Sequence, residues 1–275
     1  MAFRIARILS NLFGRRILIL IPHPDDEVVG CCAAIGRARA QGSEVFGACL
    51  TTGVPAREVF WPWQRAGHAR RVARRRDESR RAAEMLGIEF LSSAEVPTRQ
   101  LKSHIAPTLA TVRDQIRRSG ADTIWTPAYE GGHQDHDVTN FIASRLRAEV
   151  NVWEFSEYNY FGDKVRSQEF FAPNGSEREF ALTKDEQLLK RKALRLYASE
   201  KGNLNYVRTE REVFRPLAAY DYSRPPHTGE LFYQRYQWAI FQTRVDYTQP
   251  EEVCRVLAAA VSETPRTRGS EEVRK

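Results

Sequence analysis

Apolar residues in this chain fall into short β-branched runs cut off by proline or a polar cluster, alternating with stretches where they recur every three or four positions. Ile17 to Ile21 is the first such run, and its continuous branched character suits a strand buried on both faces of a parallel sheet. Pro22 stops it, and Val28 to Ala40 reads as a helix of small residues ended by Gln41-Gly42, with Gly30 and Ala33 allowing close approach to the sheet. Val45 to Thr52 is a second buried strand whose polar end, Thr51-Thr52-Gly53, falls beside the first motif if the crossover is right-handed. Val54 to Gln64 is a loop that offers Trp61 and Trp63 as an aromatic wall. Gln64 to Leu86 is a helix with one buried stripe (Val72, Ser79, Ala83, Leu86), closed by Gly87. Ile88 to Leu91 is a third strand, Ala106 to Arg118 an amphipathic helix, and Ala121 to Pro127 another strand cut off by proline.

This alternation predicts an α/β fold: a Rossmann-like, doubly wound, mostly parallel sheet with helices on both faces. Beyond position 150 the pattern weakens into a less regular C-terminal third. Val152 to Tyr158 reads as a strand, Phe161 to Glu179 as irregular chain, Leu182 to Ser199 as a helix with Lys and Arg outside, and Tyr220 to Gly229 as a Pro-rich loop. With no internal repeat and no linker, one domain over residues 1–262 is expected, followed by a disordered polar tail over 263–275.

Composition changes this picture little. In 275 residues, 42 Lys+Arg against 35 Asp+Glu give a net charge of +7, a mild bias toward anionic partners. The four cysteines have no CxxC spacing, so a reduced, cytoplasmic setting is expected. Residues 1–16 place Ile5, Ile8, Leu9, Leu12 and Phe13 on one face of a basic amphipathic helix, too short and interrupted to be a signal peptide or a span. Such a helix packs on its own domain or a partner subunit, or lies on an anionic membrane surface. The helix from Gln64 carries eight arginines, the footprint of phosphate binding, but Asp77, Glu78 and Glu84 interleave and no DNA-binding pattern surrounds it. It is expected to be a solvated outer helix, and no nucleic acid partner is expected.

The chemistry sits at two strand ends. His23, Asp25, Asp26 and Glu27 follow the first strand, and Gly131 to Asp137 (GGHQDHD) follow the fourth. In parallel sheets ligands bind outside the carboxyl ends of strands. So many ionisable groups beside a buried strand carry a desolvation cost that a cation would relieve. His23, Asp26 and His136 make a three-ligand site of mixed nitrogen and oxygen character, the count that leaves a catalytic zinc one position for water. A divalent ion there lowers the pKa of water to about 7 and polarises a carbonyl, so an amide or ester is hydrolysed at neutral pH. Taken singly, each acid is also a plain helix cap; two clusters at one sheet edge favour a site.

Pro22 to Glu27 (PHPDDE) and Gly131 to Asp137 together resemble the two signature motifs of the LmbE/PIG-L-type N-acetylglucosaminyl deacetylase family, and Arg76 to Gly87 (RDESRRAAEMLG) resembles a helix of that family. The resemblance covers roughly residues 15–160. It implies a Rossmann-like hydrolase that removes an acyl group from an N-acetylglucosamine-type sugar in a glycoconjugate or glycolipid precursor, with Zn2+ or another divalent ion such as Fe2+ as cofactor. It implies His23, Asp26 and His136 as metal ligands, Asp25 as general base, His133 as oxyanion stabiliser and proton donor, and Asp135 as the residue that orients His133. Pro22 stands where the family often has Ala, and Gln134 where it often has Pro, neither at a ligand position. For the sugar, Arg57, Tyr129, Glu130, Tyr158, Arg224 and His227 are candidate contacts, beside the aromatic loop. Two rival readings remain: a basic module binding nucleic acid or anionic membrane without catalysis, and a metal-dependent phosphoesterase, which usually wants a second ion.

Overall fold

The computed structural model describes residues 12–262 apart from Ser93 and Ile240. Its strands are β1 (Arg16–Ile21), β2 (Glu44–Cys49), β3 (Glu89–Ser92), β4 (Thr123–Pro127), β5 (Asn151–Phe155), β6 (Tyr158–Asn159), β7 (Arg166–Ser167), β8 (Arg178–Ala181) and β9 (Arg211–Pro216). Its helices are α1 (Asp26–Ala40), α2 (Pro62–Arg65), α3 (His68–Leu86), α4 (Ile105–Ser119), α5 (Gln134–Ser144), α6 (Lys184–Leu196) and α7 (Pro250–Ser262). Seven strands form one sheet in the order β3-β2-β1-β4-β5-β9-β8. The first five run parallel, and β9 and β8 add to the edge antiparallel. The expected α/β architecture is therefore present, and the irregular third supplies the antiparallel edge.

Alternation along β1 shows why both faces must be covered. Leu18 and Leu20 pack with α4, α5 and α7 on one face, while Ile17, Ile19 and Ile21 pack with α1, α3 and α6 on the other. The chain moves outward from β1 through β2 to β3, then returns to the other side of β1 with β4. That reversal is a topological switch point, where the loops after β1 and β4 part and leave a crevice. The PHPDDE and GGHQDHD loops leave the sheet at this point.

Several elements differ from expectation. The helix over Gln64–Leu86 is two helices, α2 and α3, interrupted at Ala66-Gly67. Its buried side is formed by Arg75, Glu78, Ser79, Ala82, Ala83 and Leu86, and Val72 is only half-buried. The α6 helix does not keep all its lysines outside: Lys190 is fully buried against Glu212, 2.9 Å away. The segment over Phe161–Glu179 contributes β7 and the start of β8. Residues 1–11 and 263–275 lie outside the described residues, so most of the expected N-terminal helix and the tail lie there too. Residues 12–15 are irregular, because Leu12 and Phe13 turn inward and Trp125 Nε1 donates to the Leu12 carbonyl. Among the described residues no helix is long and apolar enough to cross a membrane.

Candidate metal centre

His23, Asp25 and Asp26 are presented by the tight loop between β1 and α1. Asp25 has φ 137° and ψ −22°, a conformation that a non-glycine residue adopts only under strain, at a cost of about 1–3 kcal/mol. Strain of this kind collects at functional sites. The loop is fixed from within: Asp26 Oδ2 accepts from the His23 N–H at 2.7 Å, and Val28 and Val29 N–H donate to the Asp25 carbonyl. From the second loop, His133 caps α5 and His136 lies in its first turn, its N–H donating to the His133 carbonyl.

The two loops meet. His23 Nδ1 lies 3.2 Å from His136 Nε2 and 3.7 Å from Asp26 Oδ2, and His136 Nε2 lies 3.4 Å from Asp26 Oδ2. Three ligand atoms about 2.0–2.2 Å from one tetrahedral ion would stand about 3.3–3.6 Å apart. The other nitrogen of each ring is directed at an acid. His23 Nε2 is 3.0 Å from Asp135 Oδ2, and His136 Nδ1 is 3.3 Å from Glu157 Oε2. Placing the protons toward those carboxylates leaves His23 Nδ1 and His136 Nε2 as bare lone pairs facing each other beside a carboxylate oxygen. A proton or a cation must sit between them, and carboxylate–histidine–metal is the usual supporting arrangement. The donor set thus fits a divalent ion with imidazole and carboxylate ligands. Burial pushes the Asp26 carboxyl up, but His136 and His23 more than offset this and hold it below the ordinary range.

A second triplet, His23, His133 and Asp135, is also close enough to hold an ion. Here the lone pairs are already used. His133 Nδ1 accepts from the Asp135 N–H at 3.0 Å. The Asp135 carboxylate accepts from Thr98 Oγ1, Arg99 N–H and Leu101 N–H. Asp135 approaches His133 Nδ1 only to 3.7 Å, so its carboxylate orients His23 more closely than His133. With Nδ1 accepting, the proton of neutral His133 lies on Nε2. Burial, with His23 beside it, holds this imidazole well below the ordinary histidine range.

Asp25 stands apart from the three ligand atoms. Its Oδ2 pairs with Arg75 Nη2 at 3.1 Å, and that guanidinium also donates to the Pro24 carbonyl. Burial raises the Asp25 carboxyl well above its usual range, against the pull of Arg75. Arg75 is 3% exposed, which corrects the expectation that all eight arginines of that segment are solvated. Glu27, next in the loop, is buried under the Tyr197 hydroxyl, and burial lifts it to about 7.

The candidate sugar contacts divide. Tyr158 is at the centre, its ring 5.5 Å from that of His136. Tyr129 points into the core and donates to the Arg224 carbonyl, and Glu130 is buried accepting from Ser156 and the N–H groups of Glu157 and Tyr158. Both are corrected to structural roles, because a strand end gives one face to the crevice and one to the core. His227 is buried against Phe161 and Phe171, Arg224 projects into solvent beside Asp221, and Arg57 is exposed on a turn. None of these three is brought to the histidines by any contact among the described residues. Sequence reasoning missed Arg75, Thr98, Arg99, Glu157 and Asp246. Gln134 is also more than a neutral departure: its amide donates to Asp246 at 2.6 Å and Thr248 at 2.7 Å.

A family model described as PIG-L, GlcNAc-PI de-N-acetylase, matches residues 18–146, spanning both loops. The crystal structure of the A40926 pseudoaglycone deacetylase Dbv21 is similar with TM-score 0.57 and 20% identity, over 75% of this chain and 99% of that one. The zinc-inhibited form of teicoplanin deacetylase Orf2 gives 0.53 and 16%, over 73% and 97%. The 4-carboxy-2-hydroxymuconate hydratase of Pseudomonas putida KT2440 gives 0.52 and 19%, over 70% and 83%. At such identities the likeness is one of fold, and a hydratase among the neighbours means that the fold alone does not choose the reaction. No curated protein matches the chain significantly.

Proposed function

We propose that this chain is of the LmbE/PIG-L type, as the family model matching residues 18–146 supports, and that it is a metal-dependent hydrolase removing the N-acetyl group from an N-acetylglucosamine-type sugar of a glycoconjugate. The observation that carries this reading is the pair of imidazole nitrogens, His23 Nδ1 and His136 Nε2, 3.2 Å apart and converging with Asp26 beside a separate buried carboxyl, Asp25. His23, Asp26 and His136 would hold the ion, and Zn2+ and Fe2+ both suit the donors. When bound, the ion supplies Lewis acidity, polarising the amide carbonyl and acidifying water.

The residues divide the rest of the work. Asp25 takes the proton of the attacking water and returns it to the leaving nitrogen; a carboxylate with a raised pKa can do both, and a base of this kind contributes about 10²–10⁴ in rate. Arg75 holds that carboxylate in place through the 3.1 Å ion pair. His133, neutral with its proton on Nε2 toward Asp246, would donate to the oxyanion as the carbonyl becomes tetrahedral. Asp135 and Glu157 fix the two ligand rings.

The test is release of free amine from a panel of N-acetylated sugars and sugar conjugates, by protein stripped with a chelator and reloaded with Zn2+ or Fe2+ in turn. Turnover restored by one ion and absent from the stripped protein is expected. Turnover that survives stripping, or phosphoester cleavage without amine release, contradicts the reading.

A further inference from the structure

Of the ten exposed large apolar side chains among the described residues, seven lie on two short segments: Val59, Trp61 and Trp63 on one, and Tyr236, Trp238, Phe241 and Tyr247 on the other. The segments touch where Trp61 and Phe241 lie 6.4 Å apart, and Trp61 stacks on Trp63 at 5.2 Å with the rings nearly parallel. Phe241 and Trp63 are 75% and 73% exposed, so these rings have no partner that explains them as core.

Between the segments runs a groove of about 630 Å³. Its inner end is tied to the metal centre. Asp246, which lines it, is 4.0 Å from His133 Nε2 and bonded by Gln134, and Arg99, which also lines it, donates its N–H to Asp135. Asp246 and Arg99 thus join the groove wall to residues of the metal centre, and the groove is far larger than an acetyl group requires.

Its charge favours a neutral occupant. Two arginines line it against three carboxylates, Glu58, Asp246 and Glu252. Both arginines are engaged in holding the walls. Arg65 donates to the Phe60 and Glu58 carbonyls, and Arg99 to the carbonyls of Thr243, Arg244 and Val245. A phosphate placed there would meet an excess of carboxylates and guanidiniums already bonded to backbone.

We infer that this groove binds a neutral apolar group of the substrate, an alkyl or aryl chain carried by the amino sugar either on its aglycone or on its acyl group. The inference rests on the deacetylase reading above and names the class of substrate for that site. Trp61 and Phe241 supply the apolar faces, Trp63 backs Trp61, and the sugar reaches inward toward His133.

Two substrate series separate the points of attachment: methyl, butyl and octyl β-glycosides of N-acetylglucosamine, and N-acetyl, N-butyryl and N-octanoyl glucosamine. Each is assayed with the metal-loaded protein and with Trp61→Ser and Phe241→Ser, both substitutions of exposed side chains. The expected result is a rise in kcat/KM of at least about tenfold along one series, carried by KM, with the long-to-short ratio collapsing in both variants. Flat series in wild type overturn the inference. So does a Trp63→Ser variant that turns a dimer into a monomer without moving the ratio, which would make the patch a subunit interface. Octyl glucoside and octyl phosphate, followed by tryptophan emission, test the groove without catalysis. The glucoside is expected to bind at least tenfold more tightly, and equal or tighter binding of the phosphate overturns the neutral-ligand claim. Tight glucoside binding lost in Trp61→Ser, with no amine released from any substrate, would leave the groove standing and refute the deacetylase reading.

Discussion

Two buried charged clusters flank helix α1, and only one of them is complete. Beside the break at Cys31, where φ is −144°, Glu212 accepts from the N–H groups of Ala33 and Ala34 at 3.0 and 2.9 Å and from Lys190 Nζ at 2.9 Å. The carboxylate caps the second half of the broken helix, and every strong partner is present. At the N-terminal end of the same helix, the buried Glu157 carboxyl has only the 3.3 Å approach of His136 Nδ1, two histidine nitrogens face each other 3.2 Å apart, and Asp25 is strained. A satisfied buried network stabilises a fold; an unsatisfied one marks where something else binds.

The two clusters differ most in what Asp25 does. Replacing Asp25 by Asn should lower amide turnover by about 10²–10⁴ while metal content is retained, a pairing that steady-state kinetics and elemental analysis check together. Lys190→Met should do the reverse. It strands Glu212 in the core, costing about 3–5 kcal/mol in denaturant unfolding, and leaves the ligand atoms of the metal centre intact. If Lys190→Met instead abolishes metal binding at full stability, the two clusters are not separable as described.

Smaller effects sharpen the contrast. Glu157→Gln keeps the shape of the side chain but replaces the carboxyl group facing His136 Nδ1 by an amide, and should weaken metal binding about 10–100-fold in a chelator competition. Along the α1–α6 seam, Arg37 pairs with Glu186 at 2.7 Å and lowers that carboxyl to about 2. Because the folded pKa is depressed, this pair stabilises fully above about pH 4.5 and loses its contribution as pH falls toward 2. At this partial exposure it is worth only about 0.5 kcal/mol, so Glu186→Gln should be slightly less stable than wild type at pH 7 and indistinguishable near pH 2.

Much of this was legible in the sequence because it is local. A branched run ending in proline specifies β1, and the spacing of His23, Asp25, Asp26, His133 and His136 within two loops specifies what the switch point must hold. Residues brought in by tertiary packing were not legible. Arg75 looks like each of its neighbours in a run of arginines, and only the packing of α3 decides that it alone is 3% exposed against Asp25. Lys190 has the same history on α6. Glu157 follows β5 with no spacing signature, and Thr98 and Arg99 reach Asp135 from a loop with no periodicity at all. Tyr129 and Glu130 failed in the opposite direction: next to the glycines of the second loop they look like pocket residues, but the chain turns them inward.

The most direct test of the account is calorimetric titration of chelator-stripped protein with Zn2+ and with Fe2+ under anaerobic conditions, for wild type, His23→Ala and His136→Ala. One ion per chain in wild type, lost in both variants while their folds persist by circular dichroism, is the predicted result. Stoichiometric binding that survives either substitution, or no binding in wild type, would contradict the claim that these two loops hold one cation.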